Sequence, residues 1–354
     1  MRKNFVTGFL HDDNLAGLTN ENKRVCFLRF YFSVLTFLFK AVAEIAKLRT
    51  LVLCVPCDSV RLVMSIPADL NMKLFFTLAF AIAFMAHFAL AGDATAQFAI
   101  QHPFFAMDNG VGRGKWTPVE QARVLKELGF DGITYDGTAD LTNRLRAFQT
   151  EGLRMYAIYI NAHLDRSPQY EVGLTNAIQL LRGTDAIVWL TIGEMKDEHD
   201  AEAVKMVEEV ADFALAAGLR VAIYPHRGCY VATAEDALRL LKQINRPNVG
   251  LTLNLAHELV ANNCERMRDI IKASAPYLYS VTLNGADCGS TFKETIKMLG
   301  DGKFDLGQFL KELNAAGYRG PIGLQCYGLK GDPKENLTRS MAAWRKLIGV
   351  EPTK

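Results

Sequence analysis

The sequence lacks the features on which several large functional classes depend. Its 354 residues carry 40 basic and 38 acidic side chains, so no cationic excess is present for binding a phosphate backbone. No Cys-x-x-Cys pair occurs after residue 57, and no Gly-x-Gly-x-x-Gly follows the first predicted strand. These absences argue against the common zinc motifs and against a dinucleotide-binding sheet. We expect no nucleic-acid partner, and metal-dependent nucleic-acid cleavage is the least favoured function.

The composition is that of a folded, globular chain. Half of the residues are hydrophobic and 22% are charged, which excludes an intrinsically disordered protein. The length allows either two domains or one large domain. The choice between them depends on how the first hundred residues are interpreted.

Residues 72–96 have the layout of a secretory signal peptide. Met72 and Lys73 precede an apolar run, Leu74–Leu90, and small residues follow in the patterns Ala89-Leu90-Ala91 and Ala94-Thr95-Ala96. A basic start, an apolar centre and an Ala-x-Ala cleavage pattern are typical of export signals. The alternative is a transmembrane anchor, for which 17 apolar residues are at the short limit. We expect an exported (periplasmic or secreted) protein with no stable membrane span after cleavage.

Residues 1–71 contain no turn-delimited periodic pattern. Cys26–Val42 is apolar but carries Arg29 and Lys40, which makes it a weak membrane span. We interpret 1–71 as an N-terminal extension that is unstructured or not translated, with Met72 as the initiator. A second hydrophobic segment that anchors the chain is the alternative. The predicted domains are therefore the extension 1–71, the signal peptide 72–96 and one domain at 97–354.

Residues 97–354 alternate short apolar runs with amphipathic stretches. Alternation of this kind predicts parallel strands connected by helices. Eight such units in 258 residues predict a closed (β/α)8 barrel, for which about 250 residues is usual. An open, doubly wound sheet is the alternative. The eight predicted strands are Pro103–Met107, Gly132–Tyr135, Arg154–Ile160, Ala186–Ile192, Arg220–Tyr224, Val249–Leu253, Tyr279–Leu283 and Ile322–Gln325.

Polar side chains end every predicted strand, although the strands themselves are apolar. In a barrel these strand ends meet at one mouth, where the active sites of such folds lie. The predicted catalytic residues are Glu194, His226 and His257, because a carboxylate or imidazole can move protons near neutral pH. The predicted substrate-binding residues are Asp108, Asn161, His163, Tyr224, Asn254, Asn284, Asp287, Gln325 and Lys330.

Several of these residues also have a structural interpretation. Asp108 begins Asp-Asn-Gly, a common turn sequence, and His163 fits a solvated loop. Lys330 lies in a Gly-Leu-Lys-Gly loop that resembles the phosphate corner of many barrels, but it also fits a solvated loop lysine or a partner for a carboxylate or hydroxyl. Four cysteines, Cys229, Cys264, Cys288 and Cys326, fit either disulfides of an exported protein or small buried thiols.

Three stretches resemble the xylose isomerase-like TIM-barrel superfamily, which includes sugar-phosphate isomerases and epimerases and an apurinic endonuclease branch. They are Val221–Gly228 (VAIYPHRG) with the following Thr233–Asp236, Pro247–His257 (PNVGLTLNLAH), and Gly320–Gln325 (GPIGLQ). The resemblance covers most of 98–347. It implies a TIM barrel that acts on a carbohydrate.

The positions that matter for the family's metal depart from its pattern. Family enzymes usually bind one divalent metal through a Glu, an Asp, a His and a Glu on strands five to eight. The corresponding residues here are Tyr224, Asn254, Thr282 and Gln325, all of them neutral. Amide oxygens can bind a hard cation, but without anionic ligands the affinity falls. The cofactor is therefore left open, and a displaced metal site built from Glu194, His226, His257 and Asp287 is an alternative.

Two functions follow from these residues. The first is an exported sugar isomerase, epimerase or lyase that uses general acid/base proton transfer, with a Glu or His as base and another His as acid. The second is a non-catalytic carbohydrate-binding barrel that has lost the metal site, in which neutral side chains bind hydroxyl groups. Either way the expected partner is a small-molecule carbohydrate.

Overall fold

A computed structural model describes residues 49–53, 62–66, 102–193 and 198–350. The chain divides into two compact units, Met1–Gln97 and Phe98–Lys354. In the first unit, Arg49–Leu53 pairs antiparallel with Leu62–Ile66. The predicted signal peptide at 72–96 lies outside the described residues. Within the described part of the chain, no helix is long and apolar enough to cross a membrane.

The second unit is a closed barrel of eight parallel strands, which confirms the predicted fold. Each strand pairs with its sequence neighbours, and the last strand closes onto the first through Ile322 and Phe104. Each of the eight predicted strands is present, with ends that differ from the prediction by at most two residues. The strands are β1 (Phe104–Met107), β2 (Gly132–Asp136), β3 (Arg154–Ala162), β4 (Ile187–Ile192), β5 (Arg220–Ile223), β6 (Val249–Asn254), β7 (Leu278–Leu283) and β8 (Ile322–Leu324).

Ten α-helices connect or follow these strands within residues 102–193 and 198–350. Local sequence explains several of their ends. Thr117 and Glu120 form a capping box at the first helix, which ends at Gly129 in the left-handed conformation. The helices are α1 (Pro118–Leu128), α2 (Leu141–Thr150), α3 (Leu174–Leu180), α4 (Asp200–Ala216), α5 (Ala234–Leu241), α6 (Leu255–Val260), α7 (Met267–Ser274), α8 (Phe292–Thr295), α9 (Leu306–Ala315) and α10 (Pro333–Leu347).

The hydrophobic core has two parts. The larger part lies between the strands and the helices, as in other barrels. The smaller part fills the barrel interior with aromatic rings, in which Phe105, Trp189 and Tyr224 are fully buried. The Trp189 indole donates a hydrogen bond of 3.0 Å to Ser280 Oγ, so its polar atom is satisfied. This aromatic layer forms the floor beneath the carboxyl ends of the strands.

One disulfide joins the connection after α6 to the loop after β7. It links Cys264 to Cys288, whose Cα atoms lie 5.8 Å apart. Cys326 is buried and does not belong to a disulfide, and Cys229 is partly buried. The bridge therefore constrains the loop that carries Asp287, next to the carboxyl ends of β6 and β7.

Candidate functional site

The carboxyl ends of the eight strands lie at one end of the barrel, because all the strands are parallel. Hydrogen bonds and ion pairs join neighbouring strand ends around this rim. Arg113 joins the ends of β1 and β2, Asn109 joins β1 to β8, and Tyr224 joins β5 to β6. Polar residues that the sequence places at separate strand ends are thus in contact at three of the junctions of this rim.

Two of the predicted catalytic residues, His226 and His257, lie side by side. Their ring centroids are 4.2 Å apart, and the planes are inclined by 48°. His257 lies in α6 and is 3% exposed, whereas His226 follows β5 and is partly buried. A tight turn after β5 sets the loop: Gly228 has a φ of 83°, and the Cys229 N–H donates 3.0 Å to the His226 carbonyl. The imidazoles therefore form a compact pair at the rim.

The peptide groups of one residue, Arg227, fix the tautomers of both rings. The Arg227 N–H donates to His257 Nδ1 at 3.1 Å, so in the neutral ring the proton of His257 lies on Nε2. The Arg227 carbonyl lies 2.9 Å from His226 Nδ1, and because a carbonyl only accepts, this nitrogen carries the proton of His226. Neutral His226 thus has a free lone pair on Nε2, and neutral His257 has an Nε2–H donor.

Burial keeps both rings neutral near pH 7. Desolvation lowers the pKa of His226, partly offset by its hydrogen bond to the Arg227 carbonyl. Desolvation also lowers the pKa of His257 well below the ordinary histidine value, and the neighbouring His226 and Arg227 act in the same direction. The pair therefore presents one base and one proton donor at physiological pH.

Tyr224 and Asn254 form a buried contact beneath the histidines. Asn254 Nδ2 donates a hydrogen bond to the Tyr224 hydroxyl, and Asn254 Oδ1 accepts from the His257 N–H at 3.3 Å. Asn254 therefore caps α6 while it positions the phenol. Burial raises the pKa of Tyr224, with the nearby Asn254 and Thr282 side chains acting the other way, so the phenol stays protonated at neutral pH.

Gln325, which follows β8, is held by Asn109, which follows β1. Gln325 Oε1 accepts from Asn109 Nδ2 at 2.5 Å and from the Tyr327 N–H at 3.1 Å. Asn109 Oδ1 in turn accepts from the Cys326 N–H at 3.2 Å. The Gln325 oxygen is therefore already engaged by protein donors.

Asp108 belongs to a carboxylate–guanidinium cluster. Arg113 pairs with both Asp108 and Asp136, and the Asp136 N–H donates to Asp108 Oδ2 at 3.3 Å. Burial raises the pKa of Asp108, whereas Arg113 opposes that shift. Arg113 is exposed, so its guanidinium is the part of this cluster that a ligand can reach.

Asn161 and His163 lie at the end of β3, next to β4. Asn161 is exposed, and its Oδ1 accepts from Thr191 Oγ1 at 3.1 Å. His163 is partly buried against Gly193, where an added Cβ would lie only 2.6 Å from His163 Nδ1. Glycine at 193 thus permits the close approach of the imidazole. Glu194, the third predicted catalytic residue, lies outside the described residues.

Of three other predicted binding residues, Asn284 and Asp287 contact residues outside the histidine pair, and Lys330 lies in a loop. Asn284 is fully buried, and its Nδ2 donates to the Gly285 and Thr295 carbonyls. Asp287 pairs with Lys297 and accepts from the Lys303 N–H at 2.8 Å, and these contacts lower its pKa. Lys330 is exposed in the loop before α10.

Some residues at the rim were not among the predicted site residues. Arg113 and Arg227 come from glycine-flanked loops, where sequence gives no signal for the direction of a side chain. Tyr159 packs edge-on against Tyr224 with centroids 4.9 Å apart, and its position in β3, two residues from Asn161, was the signal that could have identified it. Cys229 Sγ lies 3.8 Å from His226 Nδ1, a contact created by the turn.

The four positions that the resemblance assigns to a metal do not fit a divalent cation. None of Tyr224, Asn254, Thr282 and Gln325 carries a negative charge or an imidazole. The described part of the chain also contains no group of three or more His, Cys, Asp or Glu side chains placed to bind a metal ion. We therefore derive no catalytic step that depends on a metal.

Two concavities of the barrel unit lie away from these residues. One of about 550 Å³ lies between α7 and α9, and one of about 300 Å³ lies beside the amino end of β1. The first is lined by Arg268, Lys272 and Glu312 among alanines, and the second by His102 and Trp344 among others. Neither is lined by a residue of the strand-end rim, so neither is a candidate for the active site.

Comparisons with known proteins agree with this fold. The chain is 25% identical over 183 residues to an L-ribulose 3-epimerase of Methylomonas sp. (strain DH-1), which is 49% of this chain and 60% of that protein. It is 27% identical over 150 residues to a ketose 3-epimerase of Arthrobacter globiformis, which is 42% of this chain and 48% of that protein. The chain thus spans about half the length of these relatives.

Solved structures show the same architecture. A D-allulose 3-epimerase from Methylomonas sp. superposes with a TM-score of 0.56 at 17% identity, covering 70% of this chain and 98% of that one. At this identity the likeness concerns the fold alone. The sequence profile of the family described as xylose isomerase-like TIM barrel matches residues 122–347. The chain therefore belongs to the xylose isomerase-like TIM barrel family.

Proposed function

We propose that this barrel acts on a ketose or a related polyol by general acid/base proton transfer, with His226 as the base and His257 as the acid. The observation that carries the proposal is the pair of opposite tautomers set by Arg227. A free lone pair and an N–H donor on adjacent neutral rings are what a proton shift between two positions requires. The names of the ketose 3-epimerase relatives support the substrate class.

The proposed step removes a proton from the carbon next to the substrate carbonyl. The C–H bond breaks, its electron pair forms an enediol-type intermediate, and His226 Nε2 takes the proton. Delivery of the His257 Nε2 proton to carbon leaves a His257 imidazolate and a His226 imidazolium, and return of one proton from His226 to His257 through solvent restores both neutral rings. Glu194, whose position is not described, remains the third predicted catalytic residue.

Exchange with solvent tests the proposal on many candidate sugars at once. The purified chain is incubated in D2O with a panel of ketoses, aldoses and polyols, and the carbon-bound protons are followed by NMR. We expect deuterium at one carbon of at least one sugar, together with an isomer or epimer of that sugar. Binding of a sugar with no exchange into any panel member would contradict proton transfer.

A non-catalytic carbohydrate-binding barrel is the second candidate. It is favoured by the neutral side chains at the rim, such as Asn254 and Gln325, which suit hydroxyl groups better than charge separation. A binding barrel would show a saturable increase in melting temperature with a sugar, without product or deuterium incorporation. The same D2O incubation therefore separates the two candidates.

We also propose that the protein is exported. The leader-like sequence at 72–96 and the Cys264–Cys288 disulfide support this, since disulfides persist mainly in oxidising compartments. After expression in the source cells, the mature protein is expected to begin just after Ala91 or Ala96, as measured by intact mass. A protein recovered from the cytoplasm that still carries residues 72–96 would contradict export.

A further inference from the structure

Three of the four strand-end residues at the family's metal positions form a neutral cluster. Tyr224, Asn254 and Thr282 come together at the carboxyl ends of β5, β6 and β7, and Gln325 follows β8. We propose that this neutral cluster replaces the cation site, so that the barrel binds its ligand and works without a divalent metal at these strand ends.

Two of the side-chain oxygens that would bind a cation, those of Asn254 and Gln325, already accept hydrogen bonds from protein donors. Gln325 Oε1 accepts hydrogen bonds from Asn109 Nδ2 and from the Tyr327 N–H. Asn254 Oδ1 accepts from the His257 N–H. A cation would have to displace these donors and leave their N–H groups without a partner, which lowers its affinity.

The phenol of Tyr224 occupies the centre of the cluster with its full bulk. Its side chain is 1% exposed and packs against Trp189 and Tyr159, each with ring centroids 4.9 Å apart. The hydroxyl receives the hydrogen bond from Asn254 Nδ2. A phenol that stays protonated carries no negative charge to balance that of a cation.

The surrounding charges also fail to attract a cation. The β5 loop carries the cationic Arg227, whose guanidinium lies over the Phe292 ring and whose charge helps to lower the pKa of His257. The carboxylates of Asp108 and Asp287 are each paired, with Arg113 and Lys297 respectively. A divalent ion at this place would therefore lack the compensating negative charge that such ions require.

Cobalt titration of the full chain tests the inference directly. Co²⁺ is chosen because its visible absorption reports a protein-bound ion independently of catalysis. We expect the unmodified chain to show no saturable spectrum up to about 1 mM Co²⁺, the weakest range of protein sites for hard cations. The fourfold variant Tyr224→Glu, Asn254→Asp, Thr282→His and Gln325→Glu is expected to bind one ion at least about 100-fold more tightly, because it regains charged ligands.

Two further variants locate any binding that is seen. Saturable binding to the unmodified chain that is abolished by Asn254→Ala or Gln325→Ala would overturn the inference. Binding that both variants retain would belong to another site, and the inference would then remain supported. A fourfold variant that melts cooperatively but binds no Co²⁺ would show that these positions are not a replaced cation site, and would also overturn it.

The inference is independent of the proposed proton transfer. If the fourfold variant does not fold, the titration of the unmodified chain still tests the inference. Its failure would leave the His226–His257 assignment to be judged by the deuterium exchange. A chain without exchange would leave the cobalt result unchanged.

Discussion

Replacing His226 by Asn is expected to lower kcat/KM for the carbohydrate substrate by about 10²- to 10⁴-fold, the usual contribution of a positioned base. An Asn amide can still donate to the Arg227 carbonyl, so the turn after β5 is kept. What the variant loses is the Nε2 lone pair that would take the proton. Initial rates are measured on the sugar that the exchange experiment identifies.

His199→Asn is the matched control for this variant. His199 lies at the start of α4, where its ring is 3.7 Å from Glu202. Its replacement is expected to change kcat/KM less than about twofold, because it removes no proton-transfer group from the His226–His257 pair. Equal losses in both variants would show that the effect comes from histidine removal in general and would contradict the role of His226.

Glu258→Gln is expected to flatten the dependence of stability on pH. Glu258 is fully buried in α6, and it accepts from the Ala234 N–H at 2.6 Å and from Asn263 Nδ2 at 2.8 Å. Burial raises its pKa to about 7. The folded chain thus holds a proton that the unfolded chain releases near pH 4.5, so the free energy of unfolding falls as pH rises from 4.5 to 7.

The expected difference is large for one side chain. At about 1.4 kcal/mol per pKa unit, ionisation of Glu258 removes about 2–3 kcal/mol between about pH 5 and pH 8, and the variant is spared this loss. Any constant cost of the amide cancels between the two pH values. The buried histidines, with lowered pKa values, oppose this trend, and they do so equally in both proteins.

Urea unfolding at about pH 5 and about pH 8 measures this effect. Glu265→Gln is the control, because Glu265 is exposed and its charge is solvated in both states. We expect Glu265→Gln to retain the pH dependence of the unmodified chain. An unchanged pH dependence in Glu258→Gln would mean that Glu258 is ionised in the folded protein throughout this range.

The barrel was predictable from sequence because its signal is local. Short apolar runs such as Arg220–Tyr224, each followed by a polar residue and a helix, identify both the strand and its carboxyl end. Since parallel strands bring their carboxyl ends together, residues far apart in sequence, such as Asp108 and Gln325, were correctly placed on one barrel.

The details of the rim were not predictable because they depend on tertiary contacts. The sequence identifies His226 and His257, but only the positions of the Arg227 peptide groups assign their tautomers. The pairing of Cys264 with Cys288 likewise depends on how the loops after α6 and β7 meet in space. Nor does sequence spacing indicate that Arg113 reaches two carboxylates on different strands.

One measurement separates the two histidine roles and tests the account most directly. The variant His257→Asn, whose Oδ1 can still accept from the Arg227 N–H, is incubated with the substrate in D2O. Because His226 remains able to remove the proton and return a deuteron, recovered substrate is expected to gain deuterium while product formation falls by about 10²-fold or more. Loss of exchange and of product to the same extent would contradict the assignment of His226 as base and His257 as acid.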